Sequence, residues 1–354
     1  MRTFRSTTKF FTVALVATVA AVFAAGAPAF ATAKAKNSEL VTLRLGYFPN
    51  VTHASAIVGV EGGIFAKKLG PNVDLQLKTF NSGTEAVQAF QADALDASYI
   101  GPSPTLTAWS QLQKSVRIVA GAASGGAYFV VKPTINRAAD LEGKVVASPQ
   151  LGNTQDVALR VWLKSKGLTA DTSGGGEVSI RPQDNATTLD AFKRGDVVGA
   201  WVPEPWATRL VTEGGGKILV DEKDLWPGGQ YVTTQLIVTT KFLKAHPDVV
   251  KKLVAGQVAA NDYIKTNTAG AETLVSQGIQ KITGKAISGD LIIAAFKNIE
   301  FTNDPIATSL VKNNKDSKSV GLPSAEGMKG IYDLASLNTA LKAVKEPAVK
   351  VPKL

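Results

Sequence analysis

The stretch from Ser148 to Asp156 sets hydroxyl, amide and glycine residues in an order that can cradle an anion. It follows Lys144, Val145, Val146 and Ala147, a short apolar strand. It precedes Val157, Ala158, Val161 and Trp162, whose spacing of three and four marks one face of a helix. In this strand-to-helix turn Gly152 permits a tight or left-handed backbone, and Asn153 or Thr154 can cap the helix. The first-turn N–H groups, including that of Gln155, lack intrahelical partners and can hold an anion. An ordinary capped helix start has the same ingredients, so the case for a site rests on repetition.

Four further turns repeat the pattern: Tyr47 to His53, Asn81 to Thr84, Gly101 to Thr105 and Trp201 to Trp206. In open α/β sheets ligands sit beyond the carboxyl ends of the strands, where such turns gather. Besides Gly152, Asn153, Thr154 and Gln155, the candidate ligand-binding residues are therefore Asn50, His53, Ser82, Gly83, Thr84, Gly101, Ser103, Trp201, Glu204 and Trp206, with Tyr47 as a further aromatic wall. Each also has a plainer use. Ser82 and Ser103 suit helix caps, Trp206 suits the core, and Glu204 between Pro203 and Pro205 suits a first-turn acid. His53 suits either role. Together the turns suit an anion with a small organic body. Glu204 is the one acid placed at the cleft and would need a cation beside a bound anion. An ammonium on the ligand would supply it, whereas a ligand without one would need a protein cation such as Arg209. Amine-bearing ligands are therefore expected to outrank plain ones.

The same residues exclude other chemistry. There is no cysteine, so disulfides, thiolate metal sites, a cysteine nucleophile and a lipid-anchored cysteine are all ruled out. His53 and His246 are the only histidines, and no carboxylate grouping has ligand spacing, so no metal site is expected. No nucleophile with a base, no dinucleotide fingerprint and no Walker lysine is found, so neither catalytic residues nor a cofactor are expected.

The chain has 354 residues, 45% hydrophobic and 19% charged, enough for roughly two globular domains. Residues 1–31 read as a cleavable export signal: Arg2, Arg5 and Lys9, then an apolar run from Phe10, then Ala27-Pro28-Ala29 and Ala29-Phe30-Ala31 as cleavage options. Without the three signal cations the formal charge of +10 becomes +7, which mildly favours anionic ligands. The lysines are scattered without interleaved aromatics, so nucleic acid is not an expected partner.

Strands are expected near 41–47, 73–79, 97–100, 116–120, 128–131, 144–147, 178–181, 197–201, 217–220 and 231–238. Helices alternate with them, the first over about 54–69. This is the rhythm of an α/β protein with a largely parallel sheet. The tail is mostly helical, with helices expected near 247–266, 269–282, 287–297, 306–313 and 324–334, and packs back on the first lobe. The small-residue loop Ser124-Gly125-Gly126 is a candidate hinge. The domain reading is 38–126 for the first part of lobe 1, 127–230 for lobe 2, and 231–354 for the return to lobe 1.

Leu45 to Ala54, Glu61-Gly62-Gly63-Ile64-Phe65, Phe192 to Trp201 and Val202 to Trp206 together resemble the aliphatic sulfonate and taurine branch of the ABC transporter solute-binding proteins, related to nitrate and thiamine-precursor binders. The resemblance covers about 41–265 and implies a two-lobed type II periplasmic-binding fold that closes on its ligand. It further implies a periplasmic, monomeric, non-enzymatic binder that docks on an ABC permease in the inner membrane, and the same ligand turns. Nitrate, bicarbonate or a thiamine-precursor pyrimidine are the alternative ligands. A pyrimidine-forming enzyme on the same fold carries a cysteine-rich motif that this chain lacks. One departure is Asp93, where the family usually has glycine, which puts that helix cap in doubt.

Overall fold

The computed structural model describes residues 40–352 and 354; the expected export signal lies outside the described residues. Val41–Tyr47 (β1) puts Leu43, Leu45 and Tyr47 into the main core, and Ala54–Glu61 (α1) and Ile64–Leu69 (α2) cover it. Val73–Thr79 (β2), Gly83–Gln91 (α3), Ala97–Ile100 (β3) and Pro102–Gln111 (α4) continue the α/β alternation up to Val116–Gly125 (β4). Asp93 takes the positive φ of 53° itself after α3, and its carboxylate meets Lys241 Nζ at 2.6 Å, so the turn closes without glycine.

Gly125 and Gly126, at φ 78° and 73°, turn the chain from the first sheet straight into Ala127–Val131 (β5) of the second. A side chain would strain both positions. The second series runs Val145–Ser148 (β6), Thr154–Ser165 (α5), Ser179–Pro182 (β7), Asn185–Arg194 (α6), Gly199–Pro203 (β8), Trp206–Thr212 (α7) and Lys217–Asp221 (β9). Two short 3-10 turns lead back to Val232–Thr239 (β10), a buried strand of the first sheet.

The sheet orders are β11-β4-β10-β3-β1-β2 and β7-β6-β8-β5-β9, where β11 is Ile299–Phe301. β1 pairs in parallel with β2 and β3, and β6 with β7 and β8. The strands next to the lobe crossings, β5 and β10, pair antiparallel on both sides. Both sheets are thus mixed and not largely parallel, because a chain entering a lobe from its neighbour runs opposite to the strands wound inside it.

Thr240–Ala245 (α8), Pro247–Thr266 (α9), Thr268–Thr283 (α10) and Gly289–Phe296 (α11) follow β10, and β11 leads to Ala307–Ser319 (α12) and Ala335–Ala343 (α13). α9 packs on α1 and α2, while α12 touches both α4 and α5 and so bridges the lobes. The helix expected near 324–334 is a loop instead. Gly327 and Gly330 turn to φ 77° and 84°, and Tyr332 bridges to Ile118.

Candidate functional site

Where the lobes meet, a small cavity of about 20 Å³ remains, room for about one water-sized group. The first lobe lines it with Asn50, Thr52 and His53 from the turn after β1, Asn81 after β2, Gly101 after β3, and Thr233 and Thr234 of β10. The second contributes Asn153, Thr154 and Gln155 at the start of α5 and Asn185 at the start of α6. These are the carboxyl ends of strands feeding helix starts, so the partial positive charge of α4, α5 and α6 converges on the cavity.

No side chain in this lining carries a charge. His53 is buried and stacks on Phe48 with ring centroids 4.3 Å apart. Burial holds its pKa down to about 3, so the imidazole is neutral. The Phe48 N–H donates to His53 Nδ1 at 3.3 Å, which leaves Nε2 as the protonated nitrogen and a donor. Among the described residues no group of three or more His, Asp or Glu is placed to hold a metal.

Three side-chain atoms at this cavity are buried without a hydrogen-bond partner: Thr154 Oγ1, Asn185 Oδ1 and Thr234 Oγ1. Leaving such a group unpaired costs about 1–3 kcal/mol. The local sequence explains why Thr154 is left over. Asn153 caps α5, its side chain accepting from the Thr154 N–H at 2.7 Å. Asp156 in the same turn is fully enclosed. It accepts from Ser148 Oγ at 2.8 Å, the Gly152 N–H at 2.9 Å and Arg160 Nε at 3.0 Å. Across the seam Gly101 lies against Thr154, and a Cβ at 101 would collide with the threonine hydroxyl.

Asn50, Asn81 and Asn185 also wall a second, larger space of about 470 Å³ outside the small cavity, with Trp206 in its lining. Trp206 Nε1 donates to Asn50 Oδ1 at 3.0 Å, tying the two lobes.

The structure thus brings Asn50, His53, Gly101, Asn153, Thr154 and Gln155 together at the small cavity and Trp206 at the outer one. Arg209 also lines the outer space, and the other candidate ligand-binding residues line neither. The Ser82 hydroxyl bonds Gln150 across the seam, and Thr84 Oγ1 reaches the Leu151 carbonyl at 3.5 Å. Gly83 lies against Pro104, Ser103 Oγ donates to Asn313 Oδ1 at 3.0 Å, and Gly152 donates its N–H to Asp156. Trp201 is core, stacked on Phe129 with its Nε1 donating to Glu222 at 2.7 Å. Glu204 is buried and already occupied: Thr208 N and Oγ1 donate to it at 3.1 and 2.9 Å, and Asn298 Nδ2 at 2.6 Å. Burial, partly opposed by those donors, raises its pKa.

Asn185 and Thr234 are cavity residues that the sequence reading passed over. Asn185 follows Pro182 in a turn of the same strand-to-helix kind and was open to the same rule. Thr234 lies inside a strand, where no local signal marks it.

Two α/β lobes joined by crossing strands, with a small polar cavity between them, define the periplasmic-binding fold. The chain superposes with a TM-score of 0.67 on the alkanesulfonate-binding protein SsuA of Xanthomonas axonopodis pv. citri bound to MOPS, at 17% identity over 80% of this chain and 95% of that one. With the periplasmic nitrate-binding protein NrtA of Synechocystis PCC 6803 the TM-score is 0.69, at 17% identity over 87% and 90%. In sequence the chain is 31% identical over 197 residues to the taurine-binding periplasmic protein of Escherichia coli strain K12, a match that spans 55% of this chain and 58% of that relative's length. The NMT1-like family matches residues 36–277, and the chain belongs to it.

Proposed function

We propose that this protein is the extracytoplasmic solute-binding component of an ABC importer and that it closes on a small organic anion, with a sulfonate as the preferred head. The observation that carries this reading is the pair of unpaired buried hydroxyls, Thr154 Oγ1 and Thr234 Oγ1, at an uncharged cavity on which three helix starts converge. Neutral donors and helix N-termini favour an anion with several acceptor oxygens. Relatives named for taurine, alkanesulfonate and nitrate binding support the class. Asn50, His53, Gly101, Asn153, Thr154 and Gln155, joined by Asn185 and Thr234, are the ligand contacts. Ser82, Thr84 and Glu204 hold the closed seam. Residues 38–126 and 231–354 act as one jaw and 127–230 as the other, with residues 1–31 exporting the chain to the periplasm, where it meets an inner-membrane permease. The protein returns its ligand unchanged. A second reading, nitrate or bicarbonate, is favoured by one observation: about 20 Å³ suits an inorganic anion better than a whole taurine.

Calorimetry with methanesulfonate, taurine, nitrate, bicarbonate and a hydroxymethylpyrimidine tests the class, with X-ray scattering reading compaction. At least one sulfonate should bind. Thr154→Val should weaken it about tenfold or more without lowering the melting temperature of the empty protein, because the substitution removes an unpaired hydroxyl. If no anion binds, or if Thr154→Val leaves affinity unchanged, the reading is wrong.

A further inference from the structure

Among the described residues the first sheet ends at β11 and β2, and the second at β7 and β9. β11 has three residues, β7 has four and closes on Pro182, and β9 pairs with β5 through a register shift. Short strands, proline and bulges each discourage a further strand from adding. β2 has none of these guards. It runs for seven residues, Val73-Asp74-Leu75-Gln76-Leu77-Lys78-Thr79, and its register with β1 is unbroken. Its last four residues are exposed, and Leu77 keeps 39% of its surface in solvent.

The ladder to β1 fixes which backbone groups are free. The Val41 N–H donates to the Asn72 carbonyl at 3.0 Å at one end, and the Phe80 N–H to the Tyr47 carbonyl at 3.2 Å at the other. The even-numbered residues of β2 therefore turn their N–H and C=O groups to β1, and those of Leu75, Leu77 and Thr79 point out along the open edge. The Val73 N–H, on that outer side, donates to the Gly70 carbonyl at 3.3 Å. An added antiparallel strand must set outward residue against outward residue, because only such pairs exchange both hydrogen bonds. A second β2, related to the first by a two-fold axis at Gln76, meets that condition: Leu75 lies opposite Leu77 of the second copy, and Val73 opposite its Thr79. The same register sets Asp74 opposite Lys78 of the second copy, once on each side of the axis. These are the non-hydrogen-bonded pairs, in which side chains approach most closely. Asp74 accepts from Gln76 Nε2 at 2.8 Å, and among the described residues neither Asp74 nor Lys78 forms a salt bridge within the chain. Moving the axis to Leu75 or Leu77 keeps the hydrogen bonds and loses both charge pairs.

We propose that two copies of this chain pair through β2, antiparallel about Gln76, and join their first sheets into one, in place of the monomer that the family resemblance implies. Val73 and Leu75 already pack against the main core, so Leu75 and Leu77 of the two copies carry that apolar face across the junction. β2 belongs wholly to the first lobe, and the pairing makes no demand on the second. A junction of one strand from each copy is a small, transient interface, with a dissociation constant on the order of 10–100 µM.

Sedimentation velocity of the purified protein from about 1 µM to about 1 mM spans that range and should show a dimer growing with concentration. Asp74→Lys and Lys78→Asp should each weaken self-association about tenfold or more, because like charges then face each other at both pairs. Mixed together, the two variants should associate as tightly as the wild type, since every opposed pair is again of opposite sign. Leu77→Pro removes an N–H that points away from β1, so it should abolish the dimer while circular dichroism shows the fold intact. A wild type that stays monomeric throughout, a dimer that the charge variants do not weaken, or a mixture that fails to recover it overturns the proposal.

Discussion

Two of the helix starts of the second lobe, at α5 and α7, look alike in sequence and behave oppositely in the structure. Each follows a strand and carries an acid in or beside its first turn. At α5 the acid is neutralised inside the lobe: Asp156 meets Arg160, both almost wholly buried, and Arg160 Nη1 also donates to the carbonyls of Ala170 and Asp171. That leaves Thr154 with a hydroxyl and no partner, facing the other lobe. At α7 no such cation is supplied. Glu204 takes neutral donors, one of them from the first lobe, and the turn ends with its polar side chains occupied. Beneath it Glu222, fully buried, is held mainly by Trp201 Nε1, and burial pushes its pKa up to about 7. A turn that satisfies itself is scaffolding, and a turn with a remainder is a place for something else to bind.

The contrast breaks most severely at Asp156. Asp156→Ala leaves Arg160 charged and buried without its partner, and should cost about 3–5 kcal/mol of unfolding free energy, read by urea denaturation. A loss under about 1 kcal/mol would mean that the α5 turn does not depend on the pair.

Glu222 tests the uncompensated side. The native state holds this proton up to about 7, while an unfolded glutamate releases it near 4.5. Between those values the unfolded chain binds fewer protons, so stability falls as pH rises through the window, by roughly 3 kcal/mol in total, and no further above it. Glu222→Gln, which can still accept from Trp201, should remove that slope and be the more stable protein at pH 8. Melting curves of both forms from pH 4.5 to 8 decide this, and parallel curves would count against it.

The smallest effect is expected at Glu204. Glu204→Gln should change stability by about 1 kcal/mol or less. It should also leave the ranking of taurine against ethanesulfonate untouched, since the carboxylate is already bound to Thr208 and Asn298. Selective weakening of taurine by calorimetry would return Glu204 to the ligand.

The strands and most helices of the fold could be read from period and punctuation, because those signals are local. The direction of β5 and β10 was not legible, since it depends on which lobe the preceding strand belongs to. The helix expected over 54–69 breaks at Gly62 and Gly63, and the one expected near 324–334 gave way to a loop whose glycines turn backward. At the site, the kind of turn identified Thr154 and Gly101. Whether a polar side chain has a partner is decided across the fold, by Asn298 for Glu204 and by Asn313 for Ser103. No spacing rule sees those bonds.

Gly101 against Thr154 makes the seam a gauge. With the threonine hydroxyl resting where a methyl group at 101 would stand, the jaws meet with less than one carbon of slack. A head that displaces Thr154 outward by even that amount keeps them ajar. On the proposed function, an oversized anion is rejected without any repulsive group, simply because the shut form is never reached, and a partner that recognises the shut form would inherit that discrimination.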